Sequence, residues 1–103
     1  TERDGEVHTA ILARELFTER GEGGMQTMFI EVKCALGESY RVAEVLVEIE
    51  GVSEVYSISG SYDLLIKCYL AAEEDIGHFV NERIQKVPGI TATMTTIAFN
   101  AFS

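Results

Sequence analysis

The sequence predicts an α+β sandwich in the order strand, helix, strand, strand, helix, strand. Its four-stranded antiparallel sheet would carry two helices on one face, with a further helix ahead of the first strand. Three observations predict this. Apolar and polar residues alternate with period two over residues 28–34 and again over 64–70. Between such stretches, apolar residues recur at helical spacing and end at a glycine. Finally, a shift of 38 residues superimposes Val42 on Val80, Leu46 on Ile84, Ile49 on Val87, Gly51 on Gly89 and Val52 on Ile90. Two copies of helix, glycine and β-branched strand start are what a split βαβ pair requires.

Residues 1–24 stand apart. They are rich in acids (Glu2, Asp4, Glu6, Glu15, Glu19, Glu22) and end in Gly21-Glu22-Gly23-Gly24. Val7, Ala10, Ile11, Leu12, Leu16 and Phe17 are spaced as one amphipathic helix, and the glycines read as a hinge. Met25 is a candidate natural start, which would make 1–24 an upstream extension. Residues 25–103 form the main domain. In its first strand Met28, Ile30, Val32 and Cys34 alternate with Phe29, Glu31 and Lys33. Gly37-Glu38-Ser39 is a turn in which Ser39 can cap the helix that follows. That helix has Val42, Val45, Leu46 and Ile49 on one face and is closed by Gly51. Residues 52–59 are the second strand, and Gly60-Ser61 turns into a third, where Leu64, Ile66, Cys68 and Leu70 alternate with Leu65, Lys67 and Tyr69. Glu73, Glu74 and Asp75 suit the positive start of a helix carrying Ile76, Phe79, Val80, Ile84 and Val87. It stops at Pro88-Gly89, and residues 91–99, rich in Thr, Ile and Phe, form the last strand. Right-handed crossovers put both helices on one face, giving a ferredoxin-like sandwich.

Composition narrows the function. The chain has 103 residues, 47% of them apolar, so one domain can build a core without metal or disulfide staples. A formal net charge of −9 argues against nucleic acid or an anionic membrane as a direct partner, because both need a basic footprint. Cys34 and Cys68 lie far apart on strands, without a CxxC, and His8 and His78 are isolated. These residues predict no metal site, no cofactor and no disulfide framework, and a reducing cytoplasm is the simplest compartment. No phosphate loop, nucleophile elbow or acid–base trio is present, so the chain does not read as an enzyme.

The two faces of the sheet differ. Met28, Ile30, Val32, Cys34, Leu64, Ile66, Cys68 and Leu70 belong under the helices. The other face receives Phe29, Glu31, Lys33, Leu65, Lys67 and Tyr69, too apolar for a surface left in water and too charged for a closed core. Such a mixture suits a subunit interface, with a twofold dimer as the default; a half-solvated sheet face is the plainer alternative.

Two short stretches rise above this background. Gly51, Val52, Val55, Gly60 and Asp63 meet the pattern G-V-x-x-V…G-x-x-D, and Gly89, Ile90, Thr93, Thr95 and Ile97 meet G-[VI]-x-x-T-x-T-x-[IV]. In these residues the chain resembles the RAM domain, the ligand-binding and oligomerisation domain of the Lrp/AsnC transcriptional regulators, over residues 25 to about 102. The resemblance implies sheets paired face to face into dimers, dimers assembled into octameric or decameric rings, and amino-acid effectors bound between dimers near the G-x-x-D turn. Carried over, Gly60, Ser61, Tyr62 and Asp63 border the pocket, with Thr93 and Thr95 nearby. Asp63 could accept an ammonium, and backbone N–H groups near Gly60 could take a carboxylate. A turn carboxylate and strand threonines also have the plainer readings of turn residue and strand propensity. The full regulators place a helix-turn-helix before this domain, and the 24 residues ahead of it here, enough for one helix, do not amount to one. The expectation is an effector-binding and assembly domain without its own DNA reader, acting alone or co-assembled with full-length regulators. A dimeric α/β-barrel enzyme such as a monooxygenase, an ACT-like module and a ligand-free scaffold share the strand order and remain alternatives.

Overall fold

The computed structural model describes residues 24–100 and 102. The helix expected within 1–24 and the first three residues of its glycine hinge lie outside the described residues. Strand β1 (Met25–Cys34) is followed by helix α1 (Ser39–Leu46), strands β2 (Val52–Ser57) and β3 (Leu64–Ala71), helix α2 (Ile76–Phe79) and strand β4 (Ile90–Ala98). Every pairing is antiparallel, and the strand order across the sheet is β2-β3-β1-β4. The fold is the ferredoxin-like α+β sandwich.

The alternation in β1 and β3 becomes burial. Met28, Ile30, Val32, Leu64, Ile66 and Cys68 are at most 1% exposed, and together with Val42, Leu46, Phe79, Val80, Ile84 and Val87 they form one core. Both helices therefore pack on the same face. Because side chains alternate along a strand, Phe29, Glu31, Leu65, Lys67 and Tyr69 are left half-buried and Lys33 exposed on the other.

The internal repeat has a geometric counterpart. Gly51 and Gly89 share a φ of +101°, the left-handed conformation that ends a helix segment and starts a strand. At Gly89 a Cβ would come within 2.5 Å of Arg41 Nη2 and 3.0 Å of Val42 Cγ2, so a larger residue would push the Arg41 guanidinium aside as well as strain the backbone. Arg41 is held there because its Nη2 donates to Pro88 O at 2.6 Å while its Nε donates to Glu38 Oε1.

Several boundaries differ from expectation. Ser39 is the first helical residue rather than the cap; Glu38 occupies the cap without a side-chain capping bond and turns its carboxylate to Arg41 instead. α1 lasts two turns, so Val42 and Leu46 are buried while Val45 is 40% exposed and Ile49 packs from the turn beyond. β2 ends at Ser57 and β4 starts at Ile90. The second helix is α-helical for four residues and then widens into a π-helical turn, Val80–Ile84, closed by the Gln85 N–H donating to Val80 O at 2.8 Å. Asp75 caps it by accepting from the His78 N–H at 3.2 Å.

Candidate functional site

The 60–63 turn lies where β1 ends. Gly60 has a φ of +108°, and nothing stands within 4 Å of where its Cβ would be, so glycine is required by backbone conformation alone. Ser61 is exposed, and Tyr62 and Asp63 are half-buried. β3 begins only at Leu64, yet the ladder alternation aims the Cys34 N–H at the β3 side. Asp63 fills the gap: its Oδ2 accepts the Cys34 N–H at 2.7 Å, and its own N–H donates to Val32 O at 2.9 Å. Its C=O accepts from the Ile58 N–H at 3.0 Å, tying the turn to the end of β2. Asp63 is thus a structural carboxylate through one oxygen. Oδ1 accepts nothing among the described residues.

Thr93 sits directly opposite Val32 on β4, and Thr95 opposite Ile30. Cross-strand partners share a face, so both threonines lie on the helix side of the sheet. The Thr93 hydroxyl accepts from Gln85 Nε2 at 2.8 Å, just after the π-helical turn. Asp63 and Thr93 therefore flank Val32 from opposite sides of β1, about two strand spacings or roughly 10 Å apart. The turn and Thr93 share one end of the sheet, while Thr95 is displaced from that end along β4. Thr91 also contributes: opposite the register shift at Lys33/Cys34 its hydroxyl donates to Lys33 O at 3.2 Å.

The open face is a second, separate surface. Phe29 stands opposite Lys67, Glu31 opposite Leu65 and Thr27 opposite Tyr69. Lys67 Nζ lies 5.9 Å from the Phe29 ring centre and 5.5 Å from that of Tyr69, within cation–π range of both. β2 adds Glu54 and Tyr56, and β4 adds Met94 and Thr96. The Tyr56 hydroxyl donates to Glu54 Oε1 at 2.6 Å, and Tyr56 and Met94 remain about half exposed. Sequence reasoning confined this face to two strands; alternation in β2 and β4 identifies the rest once the strand order is known.

Both cysteines are free and buried. Burial pushes the Cys68 thiol up to about 12 from an ordinary 9.0, and Cys34 is raised by burial and then by the Asp63 carboxylate. Among the described residues no group of three His, Cys, Asp or Glu side chains could hold a metal ion, and no helix is long and apolar enough to cross a membrane.

Residues 27–103 match the Lrp/AsnC ligand binding domain. The chain belongs to that family. The HTH-type transcriptional regulator FL11 of Pyrococcus abyssi is 35% identical to this Lrp/AsnC domain over 69 residues, which are 67% of this chain and 45% of the regulator. A hypothetical protein from Pyrococcus horikoshii has a crystal structure similar at a TM-score of 0.66 and 36% identity, covering 74% of this chain and 92% of its own. A Neisseria meningitidis transcriptional regulator, crystallised as an L-Met complex, shares the fold at a TM-score of 0.67 and 15% identity, covering 76% and 52%. A 69-residue stretch also matches 14% of a homocitrate synthase of Sulfolobus acidocaldarius at 36% identity. The Lrp/AsnC domain spans 39% to 45% of the length of the transcriptional regulators it matches.

Proposed function

We propose that this Lrp/AsnC domain binds a small amino-acid effector at its 60–63 turn and assembles through the open face of its sheet. The observation that carries the reading is the turn: Gly60 and Ser61 are exposed ahead of a carboxylate anchored through Oδ2 and unpartnered among the described residues at Oδ1. An amino-acid ammonium would take Oδ1 in a charge-assisted bond, and the Ser61 hydroxyl and backbone N–H groups of the turn would take its carboxylate. On one chain this surface is open, so a neighbouring copy would complete the pocket. That couples effector occupancy to assembly. The L-Met complex of the Neisseria regulator is in keeping with an amino acid as the effector class.

A net charge of −9 leaves direct DNA contact to other parts of an assembly. The domain would thus modulate transcription by sensing and co-assembling with DNA-binding relatives.

A thermal-shift screen with each standard amino acid, followed by calorimetry, tests the proposal. A ligand at a hundredfold excess over its dissociation constant stabilises the bound state by about 2.7 kcal/mol, a readily measured shift. One or a few amino acids should raise the melting temperature. Asp63→Asn keeps an acceptor for the Cys34 N–H but loses the charge, so it should fold normally and lose the shift. No shift with any amino acid would overturn the effector reading.

A further inference from the structure

The end of β1 is gripped from both sides by backbone-directed bonds. From the β3 side, Asp63 Oδ2 accepts the Cys34 N–H at 2.7 Å and the Asp63 N–H donates to Val32 O. From the β4 side, the Ala35 N–H donates to Gly89 O at 2.7 Å and the Thr91 hydroxyl donates to Lys33 O. Between these grips the β1–β4 ladder changes register, with Lys33 facing Ala92 and Cys34 facing Ile90. The Pro88-Gly89 corner is itself tied to α1 through Arg41. A change in how Asp63 holds Cys34 therefore acts where the β1–β4 ladder changes register.

We propose that Asp63 is a positioning residue that couples the 60–63 turn to the start of β4 through the last residues of β1. The coupling rests on the reading of the turn as the effector-facing element. Whatever draws on the Asp63 carboxylate from outside weakens its bond to the Cys34 N–H. The loosened β1 end then relaxes its pairing with β4, and with it the placement of Thr93. The path is short and continuous: Asp63, Cys34, the register shift, then Ala92 and Thr93. It gives a turn on one side of β1 a means of moving a hydroxyl on the other.

The test is residue-resolved amide hydrogen exchange by NMR on the whole chain, with no amino acid added. In the parent protein the Cys34 amide should be as protected as that of Lys33. In Asp63→Ala, exchange at Cys34 should rise about tenfold, the loss expected for one hydrogen bond to a partly buried donor. The rise should extend to Lys33 and Ala92, across the β1–β4 ladder. Asp63→Asn, which still offers an oxygen, should restore protection at all three. A rise confined to Cys34 would overturn the coupling. An unprotected Cys34 amide in the parent would overturn the grip itself, and this measurement stands even if Asp63→Ala does not fold. Because no effector is present, the outcome is independent of the amino-acid screen, so the two readings fail separately.

Discussion

Asp63 and Cys68 show how single side chains take their chemistry from the strands that present them. Asp63 follows a positive-φ glycine and precedes a strand that starts one residue late, so its carboxylate completes a ladder that the backbone leaves short. Sequence spacing identifies that carboxylate but not its partner, because the Cys34 N–H lies 29 residues away and its direction depends on strand pairing. Cys68 occupies a fully buried alternation site on β3, where no charge offsets the cost of forming a thiolate. Its thiol is raised to about 12 in the folded chain against an ordinary 9.0. Below pH 9 both states keep the proton and the group adds no pH dependence. Above it the unfolded chain releases the proton while the folded chain holds it, so stability falls by about 1.4 kcal/mol per pH unit until the folded value is reached. Urea melts of the parent and of Cys68→Ala from pH 8 to pH 11 isolate this contribution. Above pH 9 the parent should lose stability faster than Cys68→Ala, narrowing the gap between the two curves, and parallel curves would refute the assignment.

Among the elements, β3 separates the packed core from the open face within one strand. Ile66 is wholly buried, opposite Ile30 on β1 and Val55 on β2, whereas its neighbour Leu65 faces the open side opposite Glu31 and Tyr56. Ile66→Ala should cost about 2–5 kcal/mol in chemical denaturation, the range for truncating a buried aliphatic side chain. Leu65→Ala should cost about 1 kcal/mol or less in melts run at dilutions where the chain is monomeric and no second copy covers Leu65. Equal losses would show that the two faces are not distinguished as drawn. The same contrast explains what the sequence discloses. Strict alternation in β1 and β3 and the paired Gly51 and Gly89 reveal the central strands, their buried face and the repeat. The rest depends on tertiary context. β4 is an edge strand whose residues are mostly exposed on both faces, so its threonines carry no burial signal. The π-helical turn after α2 keeps the same apolar residues buried as a regular helix would, and no local residue type marks it. Of the candidate site, the turn and its carboxylate can be read from G-x-x-D. That Thr93 stands beside Gln85 rather than in the turn follows only from the register of β4 against β1.

At the scale of the whole molecule, the open face is the proposed assembly surface. It holds the Phe29 and Tyr69 rings beside the Lys67 ammonium, with Leu65, Tyr56, Met94, Glu31 and Glu54 on the same face. Chains of net charge −9 repel one another, so association needs apolar area and locally paired charges rather than long-range attraction. A mixed surface of this kind, packed about a twofold axis, lets Lys67 of one copy meet acids of the other while the rings exclude water. The discriminating variant is Leu65→Arg. Its cross-strand partner is Glu31, so the new guanidinium gains an opposite charge within its own chain and the monomer should stay folded. A facing copy would instead meet a desolvated cation in place of a leucine. Sedimentation should show the parent as a dimer or larger species. Leu65→Arg should be a monomer with an unchanged circular dichroism spectrum, and added salt should strengthen parent association by screening the net repulsion. A Leu65→Arg variant that sediments with the parent would place the assembly surface elsewhere, because a leucine at the centre of a dry interface cannot become arginine without loss.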